Sequence, residues 1–442
     1  MADLKTNTAG ILSPNPFWLA SAPPTNTGDQ IMRAFDAGWG GAVWKTLGQP
    51  IVNTWSRYGA LDINGVKIMG LNNIELITDR PLEVNLREIT EVKKRYPNHA
   101  VIVSLMVEAN REAWHTIVKQ AEDAGADGLE LNFGCPHGMS ERGMGAAVGQ
   151  VPEYTQQITE WVKEVAKTPV LVKLTPNIAD IRYAARAAKQ GGGDGVSLIN
   201  TINSIIGLDF DTLAPRPTVN GWGSHGGYCG PAVKPIALNM ISQIGTDDET
   251  LGLPISGIGG VSSWQDAVEF IALGSTSVQV CTLVMHYGFR VIEDLCDGLS
   301  NYLDERNMTL DELRGVALPR IHHWKELDLN YVVNASINQE ECIGCGLCYT
   351  ACEDGAHQAI HSERRADGRT FVEVMPDACV GCNLCSLVCP VDNCITMIQI
   401  PTDYAPCSWE QHSAGTGTLA PRPQDKLYAQ LATAKKEEAP AT

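Results

Sequence analysis

Eight short apolar runs, separated by stretches of helical period, constrain this chain more than any other feature. They are FWLAS from Phe17, GAVWKT from Gly41, AVIVSLM from Ala100, GLELNF from Gly128, PVLVKL from Pro169, GVSLINT from Gly195, PISGIGG from Pro254 and SVQVCT from Ser277. Between and after them lie REAWHTIVKQAEDAG, PEYTQQITEWVKEVAK, NIADIRYAARAAKQGG and SWQDAVEFIALG, in which an apolar residue returns every three or four positions, as an amphipathic helix requires. The runs are rich in Val, Ile and Leu with little polar alternation, so each strand is buried on both faces, as in a parallel sheet covered by helices. Several helical stretches end on a glycine just before the next run, in DAGWGGAVW, DAGADGLEL and ALGSTSVQV, where glycine caps the helix and reverses the chain. Eight such units predict an α/β fold, a (β/α)8 TIM barrel over residues 1–320, with an open doubly wound sheet as the alternative.

After Arg320 the composition changes. Residues 321–335 read as a connector, 336–400 as a cysteine-rich domain, and 401–442, ending LATAKKEEAPAT, as a tail with no apolar face to bury, partly disordered or ordered only on a partner. Eight of the fourteen cysteines form two matching runs: Cys342, Cys345, Cys348 and Cys352, then Cys379, Cys382, Cys385 and Cys389. This C-x2-C-x2-C-x3-C spacing is that of two-cluster ferredoxins, in which the fourth cysteine of each run ligates the other run's cluster. It predicts a small ferredoxin-like α+β domain with two 4Fe-4S clusters, one on Cys342, Cys345, Cys348 and Cys389, the other on Cys379, Cys382, Cys385 and Cys352. A pair of zinc sites is the plainer alternative, but zinc has no need of eight cysteines at this triple spacing. Glu353 stands where the second run has Pro390, and Cys394 and Cys407 fall outside the pattern, as structural thiols.

A formal charge of -18 argues against nucleic acid or an anionic membrane as partner. An acidic surface suits a basic electron-carrying partner, and equally suits plain solubility. No apolar run reaches the ~18 residues of a membrane span, and the start, MADLKTNTAG, lacks a basic segment followed by an apolar one. A cytoplasmic protein in a reducing compartment is expected.

In such a barrel chemistry sits on the loops at the carboxyl ends of the strands. Those ends carry Ser21, Lys45 and Thr46, Asn132, Lys173, Asn200 and Thr201, Gly259 and Gly260, and Cys281 with Thr282. Lys45 and Lys173 are candidates to stabilise the negative charge a flavin gathers on reduction. Gly257, Gly259 and Gly260 would let backbone amides approach a phosphate. Asn73, in GLNNIELI, joins Asn132, Asn200 and Thr201 as groups that match a ring of alternating carbonyl and N-H groups, though other planar polar substrates would fit too. Cys135, in NFGCPHG, is either a small buried hydrophobe or a proton donor ahead of a loop bearing Gly138, Gly143 and Gly145.

LELNFGCPHGMSERGMG, VKLTPNI, INTINS, SGIGGV and VQVCT, together with the double cysteine motif, resemble the FMN and iron-sulfur subunits of bacterial NAD-dependent dihydropyrimidine dehydrogenases. They are also similar to the carboxyl-terminal half of the animal enzyme, over nearly everything from Leu12 to Ile400. The barrel motifs alone resemble dihydroorotate dehydrogenases as well. The resemblance implies FMN near Ser21, Lys45, Thr46, Lys173, Gly259, Gly260, Cys281 and Thr282. It implies uracil or thymine on Asn73, Asn132, Asn200 and Thr201, and Cys135 as general acid, protonating C5 while a hydride from FMN reaches C6. Gly134 stands where the animal enzymes have serine, so one polar contact is expected to be missing. No G-x-G-x-x-G follows an early strand, so NAD and FAD are expected on a separate partner subunit, in a hetero-oligomer. The rivals are a dihydroorotate dehydrogenase and an electron-transfer module without substrate chemistry.

Overall fold

The computed structural model describes residues 2–52, 55–60, 70–366 and 368–421. All eight apolar runs form strands: β1 Phe17–Leu19, β2 Gly41–Leu47, β3 Ala100–Leu105, β4 Gly128–Asn132, β5 Val170–Lys173, β6 Gly195–Leu198, β7 Ile255–Ile258 and β8 Ser275–Val280. Every residue of these strands is buried, which explains why the runs lack polar alternation. They close into a parallel barrel in the order β6, β7, β8, β1, β2, β3, β4, β5. Closure rests on β8 lying beside β1, with Val278 opposite Phe17 and Gln279 opposite Trp18. An open sheet has no such pair, so that alternative falls.

A long helix follows each strand: α1 Gly28–Ala37, α2 Leu82–Arg95, α3 Arg111–Asp123, α4 Pro152–Lys163, α5 Ile181–Gln190, α6 Lys234–Gly245, α7 Trp264–Ala272 and α8 Val291–Glu305, with the shorter helices Ala146–Gly149 and Thr282–Tyr287 preceding α4 and α8. Helix α1 starts at a capping box, in which Thr27 accepts from the Gln30 N-H and the Gln30 side chain accepts from the Thr27 N-H. It stops at Gly38, whose φ of 116° a side chain would strain. Gly125 and Gly274, the other two predicted reversals, also have positive φ. On α5 the buried face is Ile181, Ala184, Ala185, Ala187 and Ala188, small enough to let the helix lie close on the barrel. Trp114 on α3 meets Phe133 edge-on at 6.0 Å, both fully buried. Truncating a residue like Trp114 costs about 3–5 kcal/mol.

The two ends of the barrel differ. A hairpin of Thr6–Thr8 and Ile11–Ser13 packs Ile11 among Trp18, Ile102 and Leu171 and against Gly128, filling the amino-terminal mouth. At the other end the loops after β2 and β6 build a four-stranded antiparallel sheet, in the order Ile202–Ser204, Gly226–Cys229, Leu71–Asn73, Tyr58–Ala60. None of these short strands was expected from the sequence.

Contacts divide the chain after Arg320. In the second unit Val332–Ile337 pairs antiparallel with Ile395–Ile400, and Ile360–Arg364 with Thr370–Val374. Helices Leu347–Gly355 and Leu384–Leu387 each carry the last cysteines of one run or lead into them. Two boundaries differ from expectation. The first strand begins inside the stretch read as connector, because Val332 to Ala335 have partners in Ile400 to Met397. The first half of the tail is structured, because the Asn330 amide donates to the Ala405 and Thr418 carbonyls and accepts from the Ala420 N-H. The rest of the tail, 422–442, lies outside the described residues.

Candidate active site

A cleft enclosing about 1190 Å³, part of it open to solvent, lies at the carboxyl ends of the barrel strands beneath the four-stranded sheet. Every barrel residue singled out for cofactor, ring or proton lines it, from Ser21 after β1 to Cys281 and Thr282 after β8. The exception is Gly257, which was grouped with the phosphate glycines. A Cβ there would meet Phe270 of α7 and Ser275 at 2.5 Å, so Gly257 serves helix packing instead.

The polar groups form a chain across the strand ends. Ser21 Oγ lies 3.1 Å from Thr46 Oγ1, which lies 2.9 Å from Ser104 Oγ. Asn132 Nδ2 donates to Thr46 Oγ1 at 3.0 Å, and Asn200 Nδ2 donates to Asn132 Oδ1 at 2.9 Å. The chain ends where Asn200 Oδ1 accepts the Thr201 N-H at 2.8 Å. Asn73, brought in by the sheet, donates to the Gly227 carbonyl at 2.9 Å and accepts the Glu75 N-H at 3.2 Å. Gly134 lies directly under this chain. A Cβ at Gly134 would stand 2.4 Å from the Asn200 Cβ, so glycine lets Asn200 approach where a serine would displace it.

Both lysines are buried and both meet a carboxylate. Lys45 Nζ is 2.8 Å from Glu75 Oε1, while Tyr58 OH and Arg57 Nε reach Glu75 Oε2 at 3.1 and 2.8 Å. Lys173 Nζ is 3.3 Å from Oε1 of Glu130, a side chain with no exposure at all. Sequence reasoning missed both glutamates. Glu130 had a signal, a charge in the middle of GLELNF, where an apolar strand has no reason for one. Glu75 and Tyr58 had none, because their meeting depends on the antiparallel pairing of Tyr58–Ala60 with Leu71–Asn73.

Cys135 is buried among Ile77, Met106, Met139 and Met144. Its Sγ points 3.5 Å from the His137 carbonyl. Burial pushes the thiol up to about 11; the bond at His137 and the ammonium groups of Lys45 and Lys173 pull it back only in part. The loop that follows is packed down. Gly145 takes φ 58°, where a Cβ would meet the Cys135 carbonyl at 2.7 Å, and the Ala146 N-H donates to that carbonyl at 3.0 Å. His137, also missed, donates from Nε2 to the Glu75 carbonyl at 2.8 Å, and burial holds its imidazole below the usual range.

At the opposite wall Gly259 and Gly260 take φ of 132° and 77°. A Cβ on Gly260 would meet the Gly230 carbonyl at 2.8 Å and the Lys234 nitrogen at 2.9 Å, so the backbone is bare by necessity. Gln279 Oε1 and His137 Nδ1 are buried without a hydrogen-bond partner, although both residues line the cleft. A cradle of bare backbone and unpaired polar atoms facing one cavity is what a polar occupant would complete.

In the second unit the cysteines sort into two voids. Cys342, Cys345, Cys348 and Cys389 line one of about 320 Å³, and Cys352, Cys379, Cys382 and Cys385 line another of about 360 Å³. The fourth cysteine of each run thus sits with the other run's first three. Cys394 also borders the first void, and Cys394 and Cys407 are both buried. Among the described residues no three His, Cys, Asp or Glu side chains converge on a point suited to a single ion.

Residues 3–303 match the dihydroorotate dehydrogenase family, and residues 335–397 match the 4Fe-4S dicluster domain. The chain is 43% identical over 360 residues to the NAD-dependent dihydropyrimidine dehydrogenase subunit PreA of Escherichia coli K12, covering 81% of this chain and 87% of that one. It is 42% identical over 332 residues to the chloroplastic dihydropyrimidine dehydrogenase (NADP(+)) of Arabidopsis thaliana, covering 72% and 77%. To the catalytic subunit of dihydroorotate dehydrogenase B (NAD(+)) of Pyrococcus abyssi it is 36% identical over 316 residues, covering 71% of this chain and 99% of that subunit.

Proposed function

Because the chain belongs to the dihydroorotate dehydrogenase family, we propose that it is the catalytic subunit of a dihydropyrimidine dehydrogenase, interconverting uracil or thymine and the 5,6-dihydropyrimidine. The observation that carries this reading is the convergence of Asn73, Asn132, Asn200, Thr201 and Cys135 on one cleft that also holds Glu75. Amide groups chained edge to edge offer donors and acceptors to a pyrimidine's carbonyl and N-H groups. Supporting the same choice, the Pyrococcus subunit is aligned almost end to end yet accounts for only 71% of this chain.

The cleft's residues fit FMN. Lys45 and Lys173 would face the flavin ring, Ser21 and Thr46 its polar edge, and Gly259, Gly260, Cys281 and Thr282 its phosphate. FMN, when bound there, supplies hydride transfer to or from C6 of the pyrimidine. Cys135 holds the proton for C5. Its raised pKa keeps the thiol protonated at neutral pH, ready to act as the acid, and the Met139 and Met144 side chains keep water from it. Asn132 is held between Thr46 and Asn200, so its amide is oriented before the substrate arrives.

The second unit supplies the electrical connection. The crossed grouping of thiols around two voids supports two 4Fe-4S clusters, one on Cys342, Cys345, Cys348 and Cys389, the other on Cys379, Cys382, Cys385 and Cys352. Electrons from NADH would enter through an FAD- and NAD-binding partner subunit, in a cytoplasmic hetero-oligomer. No helix among the described residues is long and apolar enough to cross a membrane.

The test is an anaerobic titration of the purified protein, followed by flavin absorbance. Dihydrouracil or dihydrothymine should bleach the flavin. Bleaching by dihydroorotate alone would make it a dihydroorotate dehydrogenase, and no bleaching by any of the three would make the barrel an electron carrier.

A further inference from the structure

Glu130 is a charge that none of the steps above uses. It lies in the middle of β4 with no exposure, and it does not line the cleft. Its Oε2 accepts from Ser197 Oγ of β6 at 2.8 Å and from Gln279 Nε2 of β8 at 3.0 Å. Gln279 Nε2 also reaches Ser256 Oγ of β7 at 3.0 Å, and Ser277 Oγ donates to Ser256 Oγ at 2.8 Å. A polar floor therefore runs under the cleft, and two neutral donors pin one oxygen of the carboxylate to it.

The other oxygen is treated differently. Among the described residues Oε1 has no hydrogen-bond donor, and its one charged partner is the Lys173 ammonium, 3.3 Å away. Lys173 lines the cleft with a nearly buried side chain, and Glu130 is its one ion pair among the described residues. A carboxylate kept merely for packing would be costly, since burying an ion pair gains little over apolar side chains of the same size. Here the anchoring of Oε2 stops the carboxylate from closing on the ammonium, so Lys173 is held at the cleft wall with its charge only partly offset.

We propose that Glu130 is a positioning residue that sets how much of the Lys173 charge a bound flavin experiences, and through it the flavin's reduction potential. This rests on the reading that the cleft holds a flavin. A reduced flavin is the more negative partner, so a freer ammonium favours it and a tighter carboxylate disfavours it. Glu130→Gln keeps the shape and an acceptor for Ser197 and Gln279 but removes the charge. Ser197→Ala keeps the charge and releases one anchor, so the carboxylate moves toward Lys173. The two changes push in opposite directions.

The experiment is a dye-mediated spectroelectrochemical titration of the flavin in the purified holoprotein, wild type and variants, with the iron-sulfur signals separated by low-temperature EPR. Glu130→Gln should raise the midpoint, with about a tenfold change in the reduced-to-oxidised ratio, ~30 mV for a two-electron couple. Ser197→Ala should lower it by less. An unchanged or lowered midpoint in Glu130→Gln, or a shift of the same sign in both variants, overturns the proposal. Ser197→Ala leaves the buried ion pair in place and decides alone if Glu130→Gln does not fold: an unchanged or raised midpoint then overturns the proposal. A wild-type protein that takes up no flavin overturns the parent reading and this inference with it, whereas a flavin-loaded wild type with unmoved variants overturns the inference only.

Discussion

The thiol of Cys135 should make the two directions of the reaction respond differently to pH. Burial lifts its pKa to about 11. At about pH 8, three units lower, roughly one thiol in a thousand is ionised. Pyrimidine reduction needs the protonated form, which is nearly all of the protein, so its rate should be flat with pH and fall only as pH rises through about 11. Oxidation of the dihydropyrimidine needs the thiolate to take the C5 proton, so its rate should climb about tenfold per pH unit below the pKa. Cys135→Ser replaces the thiol with a group that ionises far less readily, and should slow both directions by about 10²–10⁴-fold, ~3–5 kcal/mol of barrier. The cavity around it changes little, since serine can still reach the His137 carbonyl that the thiol approaches at 3.5 Å. Stopped-flow bleaching of the flavin by dihydrouracil under anaerobic conditions, repeated across pH, measures the oxidative arm without any partner subunit. A flat profile there, or Cys135→Ala working at the wild-type rate, would refute the assignment of Cys135 as the proton carrier.

Other residues give separate outcomes. Gly260→Ala forces a side chain into φ 77° and within 2.8 Å of the Gly230 carbonyl, so it should cost about 1–3 kcal/mol and lower flavin content, read as the flavin-to-protein ratio and the melting temperature. Asn132→Ala leaves Thr46 and the Asn200 amide without their partner. Uracil affinity should fall by about tenfold or more, measured by titration of the oxidised protein. Cys352→Ser should remove the cluster of the second void and leave the first. Cys394→Ser, which borders the first void without belonging to either run, should leave both, as iron and sulfide per chain will report.

The barrel was legible because its strands are buried on both faces, which turns each into an unbroken apolar run, and because glycines such as Gly38 and Gly125 mark where helices stop. The cleft was half legible. Polar residues at the ends of apolar runs stand out, and Lys45, Asn132, Lys173 and Asn200 all turned out to face one space. What the sequence hid was their partners. Lys45 meets Glu75 only because a loop after β2 folds back as a strand against a loop after β6, a pairing of Asn73 with Gly227 across 154 residues of sequence. Short antiparallel strands of three residues carry no period that a reader could count.

Glu130 shows the opposite kind of gap, a signal present but without a meaning until the barrel closes. A glutamate between two leucines reads as an error in an apolar strand, yet Ser197 and Gln279, from β6 and β8, reach the same carboxylate oxygen. Sequence separations of 67 and 149 residues join at that atom. Barrel interiors are filled in layers drawn from alternate strands, so inward-facing polar residues on β4, β6 and β8 had to share a level once the register was set. The lysine beside them on β5 then gains a counter-charge from below and a cavity above. A charged residue inside an apolar run of a closed barrel is therefore best read together with the inward positions two and four strands away, where its compensation has to be found.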